Sequence, residues 1–255
     1  MTTGTAPVNN LDQRGYGRPQ VLPVLHILLI FVGCTLFVGC STKRTKLSVF
    51  GPATHAERDL TVTGILKAAS GGDLESARVI LDLKPELVNA VGPGGLTPLH
   101  VATWPGGLDG QVSYYGDYAG IVELLIARGA DVNTADSVRS MTPLHTVTLW
   151  TPGGSGGGRV TVNVTINGVP YREHAIEMQN RSLRALLQKN PSINARTSTG
   201  YTPLHCAAKN GYAEMVRLLL SHGADPTLKT ADGYTALDLA RDSNSSEAVS
   251  ILSNR

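Results

Sequence analysis

A four-residue motif returns three times along the chain, as Thr97-Pro98-Leu99-His100, Thr142-Pro143-Leu144-His145 and Thr202-Pro203-Leu204-His205, with a weaker copy at Thr235-Ala236-Leu237-Asp238. The copies start 45, 60 and 33 residues apart. A second pattern keeps step with the first. Leu124 to Asp131 reads LLIARGAD and Leu218 to Asp225 reads LLLSHGAD, with degenerate copies at Leu186 to Pro191 and Val79 to Leu81. Two motifs recurring in one order and register specify a repeat architecture. Each unit of such a chain cannot bury its apolar face alone, so stability comes from stacking neighbour on neighbour.

The best-formed unit, Gly200 to Asp232, reads GYTPLHCAAKNGYAEMVRLLLSHGADPTLKTAD. Thr202-Pro203 starts a helix, with proline in the first turn where no N–H is missed. Leu204, Ala207 and Ala208 give it a narrow apolar face, and Asn210-Gly211 ends it. Met215, Val216, Leu219 and Leu220 fall at i, i+1, i+4 and i+5, the stripe of a second helix. Gly223 follows it, where a positive φ is needed.

This unit resembles an ankyrin repeat almost position by position, and the spacing of 33 equals that family's period. The resemblance covers about residues 61–255. It implies an all-α solenoid of helix-turn-helix pairs, in units of about 61–94, 95–138, 139–199, 200–232 and 233–255. The first and last look like capping units. The resemblance also implies protein binding through a concave face of turn tips and first helices, which here brings in Arg139, Ser140, Thr199, Tyr201 and Tyr234. In the family the motif histidine bonds the backbone of the neighbouring repeat beside the motif threonine. Thr97, His100, Thr142, His145, Thr202 and His205 are therefore expected to be structural. A zinc site is the alternative for the three histidines, but they would stand one repeat, about 10 Å, apart. Zinc needs its nitrogens at about 2 Å.

The longer spacings locate two inserts. His205 to Leu220 spans 15 positions and His145 to the equivalent Leu187 spans 42, so all 27 extra residues enter between the two helices of the third unit. By the same count, 11 of the 12 extra residues of the second unit enter at the equivalent place, near Gly106 to Gly116. Both inserts should leave one edge side by side. In the longer one, 151–176, Val160, Val162, Val164 and Ile166 alternate with polar residues before Asn167-Gly168 and Val169-Pro170-Tyr171. This predicts a small β-hairpin on a two-residue turn. Ile166 pairs with Val169, and Pro170 opposes Thr165 where a missing N–H does no harm. Trp104 and Trp150 stand at the mouths of the inserts, and Tyr114, Tyr115 and Tyr171 lie within them. Two readings stay open for these aromatics: anchors for a partner, or a mini-core that holds the loops down.

The N-terminus carries a different signal. Val21 to Cys40 is twenty positions without a charged side chain, preceded by Arg14 and Arg18. A basic region before an apolar run is the pattern of a secretory signal. The ending Phe37-Val38-Gly39-Cys40-Ser41 resembles the lipobox of bacterial lipoproteins, whose signal is cut before a cysteine that carries a diacylglycerol. That resemblance implies lipidation at Cys40 and a cell-envelope location facing the periplasm, with Ser41 favouring the outer membrane. Phe37 and Val38 depart from the family's preferred residues. Lys43, Arg44 and Lys46 follow closely, and positive charge there resists translocation. The alternative is an uncleaved inner-membrane helix, since about 20 apolar residues span a bilayer, with the repeats in the cytoplasm. Residues 1–40 are thus a signal or anchor, and 41–60 a linker.

The remaining chemistry is sparse. Beyond residue 40 there are 20 basic and 19 acidic residues, and no run of five like charges. A nucleic-acid surface carries a far stronger basic bias. Cys34, Cys40 and Cys206 share no zinc or redox spacing, and no cofactor or metal is expected. Gly153-Gly154-Ser155-Gly156-Gly157 matches the letters of a nucleophile elbow, but flexible glycine cannot hold the strained serine which that turn requires. Cys206 sits at a helix packing position and reads as an inert buried thiol. The expected function is a protein-binding scaffold and not an enzyme. A regulatory subunit of an envelope enzyme is the nearest alternative, and a hydrolase built by the inserts the remotest.

Overall fold

In the computed structural model the described residues are 59–104, 116–151, 165–166 and 168–254. They form ten α-helices in five pairs: α1 (Val62–Gly71) with α2 (Leu74–Leu83), α3 (Pro98–Ala102) with α4 (Tyr118–Ala127), α5 (Pro143–Leu149) with α6 (Tyr171–Leu187), α7 (Pro203–Lys209) with α8 (Ala213–Ser221), and α9 (Ala236–Asp242) with α10 (Ser246–Ser253). First helices pack on first helices along the series, and second helices on second helices. One main core runs the length of the stack. Leu99, Leu144 and Leu204, from the same motif position, are buried in it, as are Leu125, Leu186 and Leu219 from the second helices. Burying one such side chain contributes about 1.5–3 kcal/mol.

The motif builds its own helix start. Thr97, Thr142 and Thr202 take extended backbone angles as N-caps, proline occupies the first turn, and the histidine three residues on closes a capping box. His100 Nδ1 accepts from the Thr97 N–H at 3.2 Å and lies 2.8 Å from the threonine hydroxyl. The other two pairs repeat this geometry. A backbone N–H can only donate, so Nδ1 is the acceptor and Nε2 carries the proton. In the fifth unit Asp238 takes the histidine's place and accepts from the Thr235 N–H at 2.9 Å and the hydroxyl at 2.7 Å.

Three ladders tie neighbouring units. In the first, each histidine Nε2 reaches a carbonyl of the next turn: His100 to Met141 at 2.9 Å, His145 to Tyr201 at 3.1 Å and His205 to Tyr234 at 3.2 Å. The second links the turns themselves. Ser137 N–H donates to Gly94 O, Ser198 N–H to Arg139 O and Ala231 N–H to Thr199 O, at 2.8–3.0 Å. The third crosses the outer helices as Arg–carboxylate pairs, Arg128–Asp82, Arg181–Glu123, Arg184–Glu214 and Arg217–Glu247. These pairs are solvent-facing, so salt and water screen them and each contributes little. Gly223 takes φ 89° just past α8, as expected from the sequence.

The third unit holds the hairpin in the expected register, Ile166 opposite Val169 and Thr165 opposite Pro170. Its described strands are β1 (Thr165–Ile166) and β2 (Val169–Pro170). Val160, Val162 and Val164 lie outside the described residues. One expectation is corrected here: Tyr171 does not continue the strand but opens α6, so that helix takes in the last residues of the 151–176 insert. Helix α6 is 17 residues long against 9 in α8. The cause is local: residues 172–179 read REHAIEMQ, mostly strong helix formers with no glycine or proline. Extending an existing helix adds one hydrogen bond per residue ordered, without a second nucleation. Pro170 precedes the first turn, where its fixed φ and missing N–H do no harm. The N-terminal segment, including Cys40, and the shorter insert at 105–115, including Tyr114 and Tyr115, also lie outside the described residues. Among the described residues no helix is long and apolar enough to cross a membrane.

Candidate partner-binding surface

Each of the four turns between units is closed at its base by a backbone bond, Gly92 N–H to Leu96 O, Asp136 N–H to Met141 O, Thr197 N–H to Tyr201 O and Thr230 N–H to Tyr234 O, at 2.8–2.9 Å. At the turn before α5 the buried Asp136 organises the tip. One carboxylate oxygen accepts from the N–H groups of Val138 (2.8 Å) and Arg139 (2.6 Å), and the other accepts from Met141 (3.1 Å). Thr197 and Thr230 make a smaller version, accepting from Tyr201 and Tyr234 N–H at 3.1 and 3.2 Å. This turn presents Val138, 70% exposed, and the exposed Arg139. Ser140 sits there at φ 55°, where the neighbouring turns have Gly200 and Gly233. Asp136 had escaped the sequence reading. An aspartate two and three residues before the N–H groups it accepts is the signal that could have found it.

Tyr234 is 52% exposed on its own tip, while its carbonyl is held by His205. Tyr201 is half-buried. The Lys209 ammonium lies 5.4 Å from its ring centroid, and its carbonyl is held by His145. Arg139, Tyr201 and Tyr234 thus stand on three bonded elements of one row, their backbones fixed and their side chains at or near the surface.

The insert aromatics are placed differently. Trp150 and Tyr171 are each 8% exposed and pack with Ala175, while Trp104 and Ile166 lean on this cluster half-buried. Trp150 and Tyr171 therefore form the mini-core, and Trp104 is the insert tryptophan that keeps an open face. Three polar side chains from later in the chain hold this corner. Gln179 Nε2 donates to the Val147 and Trp150 carbonyls at 3.2 and 2.9 Å, and the Tyr212 hydroxyl donates to Trp150 O at 3.0 Å. Asn210 Nδ2 takes the Thr148 and Leu149 carbonyls, both at 3.0 Å. These side chains satisfy the carbonyls left over at the end of α5. No sequence pattern announces them, because each acts across 29 to 62 residues.

The three motif histidines share one electrostatic setting. Burial lowers all three below the usual imidazole value, His145 to about 4, against the raising effect of the backbone bonds. The rings stand in successive units, each spent on its own cap and the next turn. Among the described residues no group of three or more His, Cys, Asp or Glu side chains is placed to hold a metal ion. Burial pushes the Cys206 thiol up to about 12. A thiolate is not available at neutral pH from such a group.

Family models for ankyrin repeats match residues 94–137 and 186–240. Among the relatives, the chain is 29% identical over 210 residues to the probable E3 ubiquitin-protein ligase XBOS32 of Oryza sativa subsp. japonica, covering 69% of this chain and 39% of that protein. It is 28% identical over 203 residues to the E3 ubiquitin-protein ligase XBAT32 of Arabidopsis thaliana, covering 70% and 38%. Ankyrin repeat domain-containing protein 49 of Bos taurus is 48% identical over 42 residues, covering 16% and 18%. The chain spans about two fifths of the length of the two ligases. Together with the helix pairs, the matches identify the fold as an all-α ankyrin-repeat solenoid with a small β-hairpin in its third unit.

Proposed function

We propose that this stack of ankyrin repeats is a protein-binding scaffold and not a catalyst, carried to the cell envelope and anchored there by its N-terminal segment. Ankyrin repeats imply a protein partner. The observation that carries the reading is the row of turn tips. Val138, Arg139 and Tyr234 project from turns whose backbones are bonded to one another and to the motif histidines, so little side-chain and loop freedom is lost on binding there. The partner engages this row through Arg139, Tyr201 and Tyr234, with Trp104 extending the contact toward the inserts. The ligase activity belongs to relatives of which this chain spans about two fifths, and the repeats are what this reading takes from them.

The anchoring part rests on the apolar run Val21 to Cys40 and its Gly39-Cys40-Ser41 ending. A diacylglycerol on Cys40 holds the protein to a membrane, with each buried methylene adding about 0.8 kcal/mol. The uncleaved helix is the competing form.

Two experiments test the two parts separately. Arg139→Ala combined with Tyr234→Ala should sharply reduce partner recovery from envelope extracts while leaving the circular dichroism spectrum unchanged. Replacing residues 152–169 by a short turn, which spares Tyr171, should reduce it less. The reverse ranking would move the binding role from the tips to the insert edge. For the anchor, Cys40→Ala should abolish labelling by a fatty-acid probe and leave an unprocessed precursor; normal processing of that variant ends the lipoprotein reading.

A further inference from the structure

The lengthened α6 adds a cavity to the third unit. Tyr171, Ala175 and Gln179 fall four residues apart on one face of the helix and look onto the end of α5. Between them lies a cavity of about 30 Å3, walled by Trp150, Tyr171, Ala175, Met178 and Gln179, with His174 also in the wall and the facing ends of α3 and α4 closing the far side. In this measure a water needs about 10–15 Å3, so the space admits a group of two or three heavy atoms.

One polar atom in this wall is unsatisfied. Gln179 is 4% exposed, and its Nε2 is committed to the Val147 and Trp150 carbonyls. Turning the amide over would set its oxygen against those two carbonyl oxygens, so the orientation is fixed. The other end, Oε1, is buried without a hydrogen-bond partner. A buried acceptor left in this state is costly and strongly favours any donor that can reach it. The lining contains no carboxylate, ammonium or guanidinium, which disfavours an ion.

We propose that this cavity is a binding site for a small uncharged molecule, an apolar body of a few heavy atoms carrying one O–H or N–H that donates to Gln179 Oε1. Trp150, Tyr171 and Met178 wall the body, and the amide oxygen supplies a directional contact. This is the usual division of labour in small-molecule sites, apolar walls with few convergent polar groups. The site stands at the corner from which both inserts leave, and Trp150 belongs both to its wall and to the mini-core of the longer insert.

The test uses the full chain, with ethanol and formamide as donor-bearing probes and xenon as a donorless one of similar size. Binding is followed by NMR on the Trp150 indole and the Gln179 side-chain amide. Ethanol and formamide should produce saturable shifts at these two groups, and xenon should not. Ala175→Leu fills the cavity from one turn along the same helix and leaves Gln179 in place; it should weaken both probes at least tenfold. Gln179→Met, checked for folding by circular dichroism, should abolish the preference for donor-bearing probes. Equal binding of xenon would reduce the site to an apolar void. Absence of saturable shifts from both donor probes would mean that the cavity holds water only. Either result overturns the proposal.

Discussion

Acid should loosen this protein through its buried histidines, and His145 allows the size of the effect to be worked out. Its ring is fully buried, with Nδ1 accepting from Thr142 N–H and Nε2 donating to Tyr201 O. Protonating Nδ1 would set an N–H against an N–H and charge a ring cut off from water. Burial accordingly holds its pKa at about 4, against 6.5 in an unstructured chain. Because the folded value is the lower one, the unfolded chain takes up the proton first. The stabilisation is complete above about pH 6.5 and is lost as the pH falls toward 4. At about 1.4 kcal/mol per pKa unit, the loss is about 2 kcal/mol at pH 5 and about 3 kcal/mol below pH 4. His100 and His205 are lowered in the same direction and add to it. Urea unfolding at pH 7.5 and pH 5.0 should show this drop in the wild type. His145→Gln, although less stable at both pH values, should lose about 2 kcal/mol less between them. An imidazole signal of folded His145 titrating near pH 6.5 would refute the reasoning, as would an unchanged pH dependence in the variant.

Other perturbations follow from the packing. Leu219 is fully buried between two neighbouring units, and Leu219→Ala should destabilise by about 2–5 kcal/mol in urea unfolding. Unchanged stability would mean that the fourth unit is not a packed interior. Asp136→Ala strands the N–H groups of Val138, Arg139 and Met141 and should cost about 1–3 kcal/mol, with faster amide exchange confined to that turn. In a background with Cys34→Ser and Cys40→Ser, Cys206 should react with Ellman's reagent only as fast as the protein unfolds; prompt labelling at neutral pH would contradict its raised pKa.

Most of the architecture was legible because the motif writes its own boundary conditions. Thr-Pro-Leu-His contains the cap, the first helical residue and the link to the next unit within four positions, so three copies place three helices. Hairpin register was legible for a similar reason, since Asn167-Gly168 leaves one pairing that spares Pro170 a missing bond. The start of α6 was not legible. Tyr171 suits a strand by its alternation with Val169, and the run of helix formers that follows it draws it into α6 instead. The surface was half legible. Exposed Arg139 and Tyr234 follow from their place in the repeat, whereas Trp150 and Tyr171 turn inward through contacts with Ala175 and Gln179 that no local pattern encodes. Asp136, Asn210 and Gln179 each bond two or three groups of distant or irregular backbone, which leaves no periodic trace.

The histidine links all point one way along the chain, and this gives the protein a timetable during synthesis. The second, third and fourth units each receive a latch from a carbonyl that is made later: 41 residues after His100, 56 after His145 and 29 after His205. At about 5–20 residues per second, the third unit waits about 3–11 s for Tyr201 to emerge, roughly twice the wait of the fourth. The longer insert therefore sets the slowest step in the assembly of the nascent chain. Until Tyr201 emerges, the first two units can dock on each other, while the third has its cap but no forward partner. A ribosome-bound chain arrested just before Tyr201 would expose the end of that unfinished stack, and one arrested well beyond it would not.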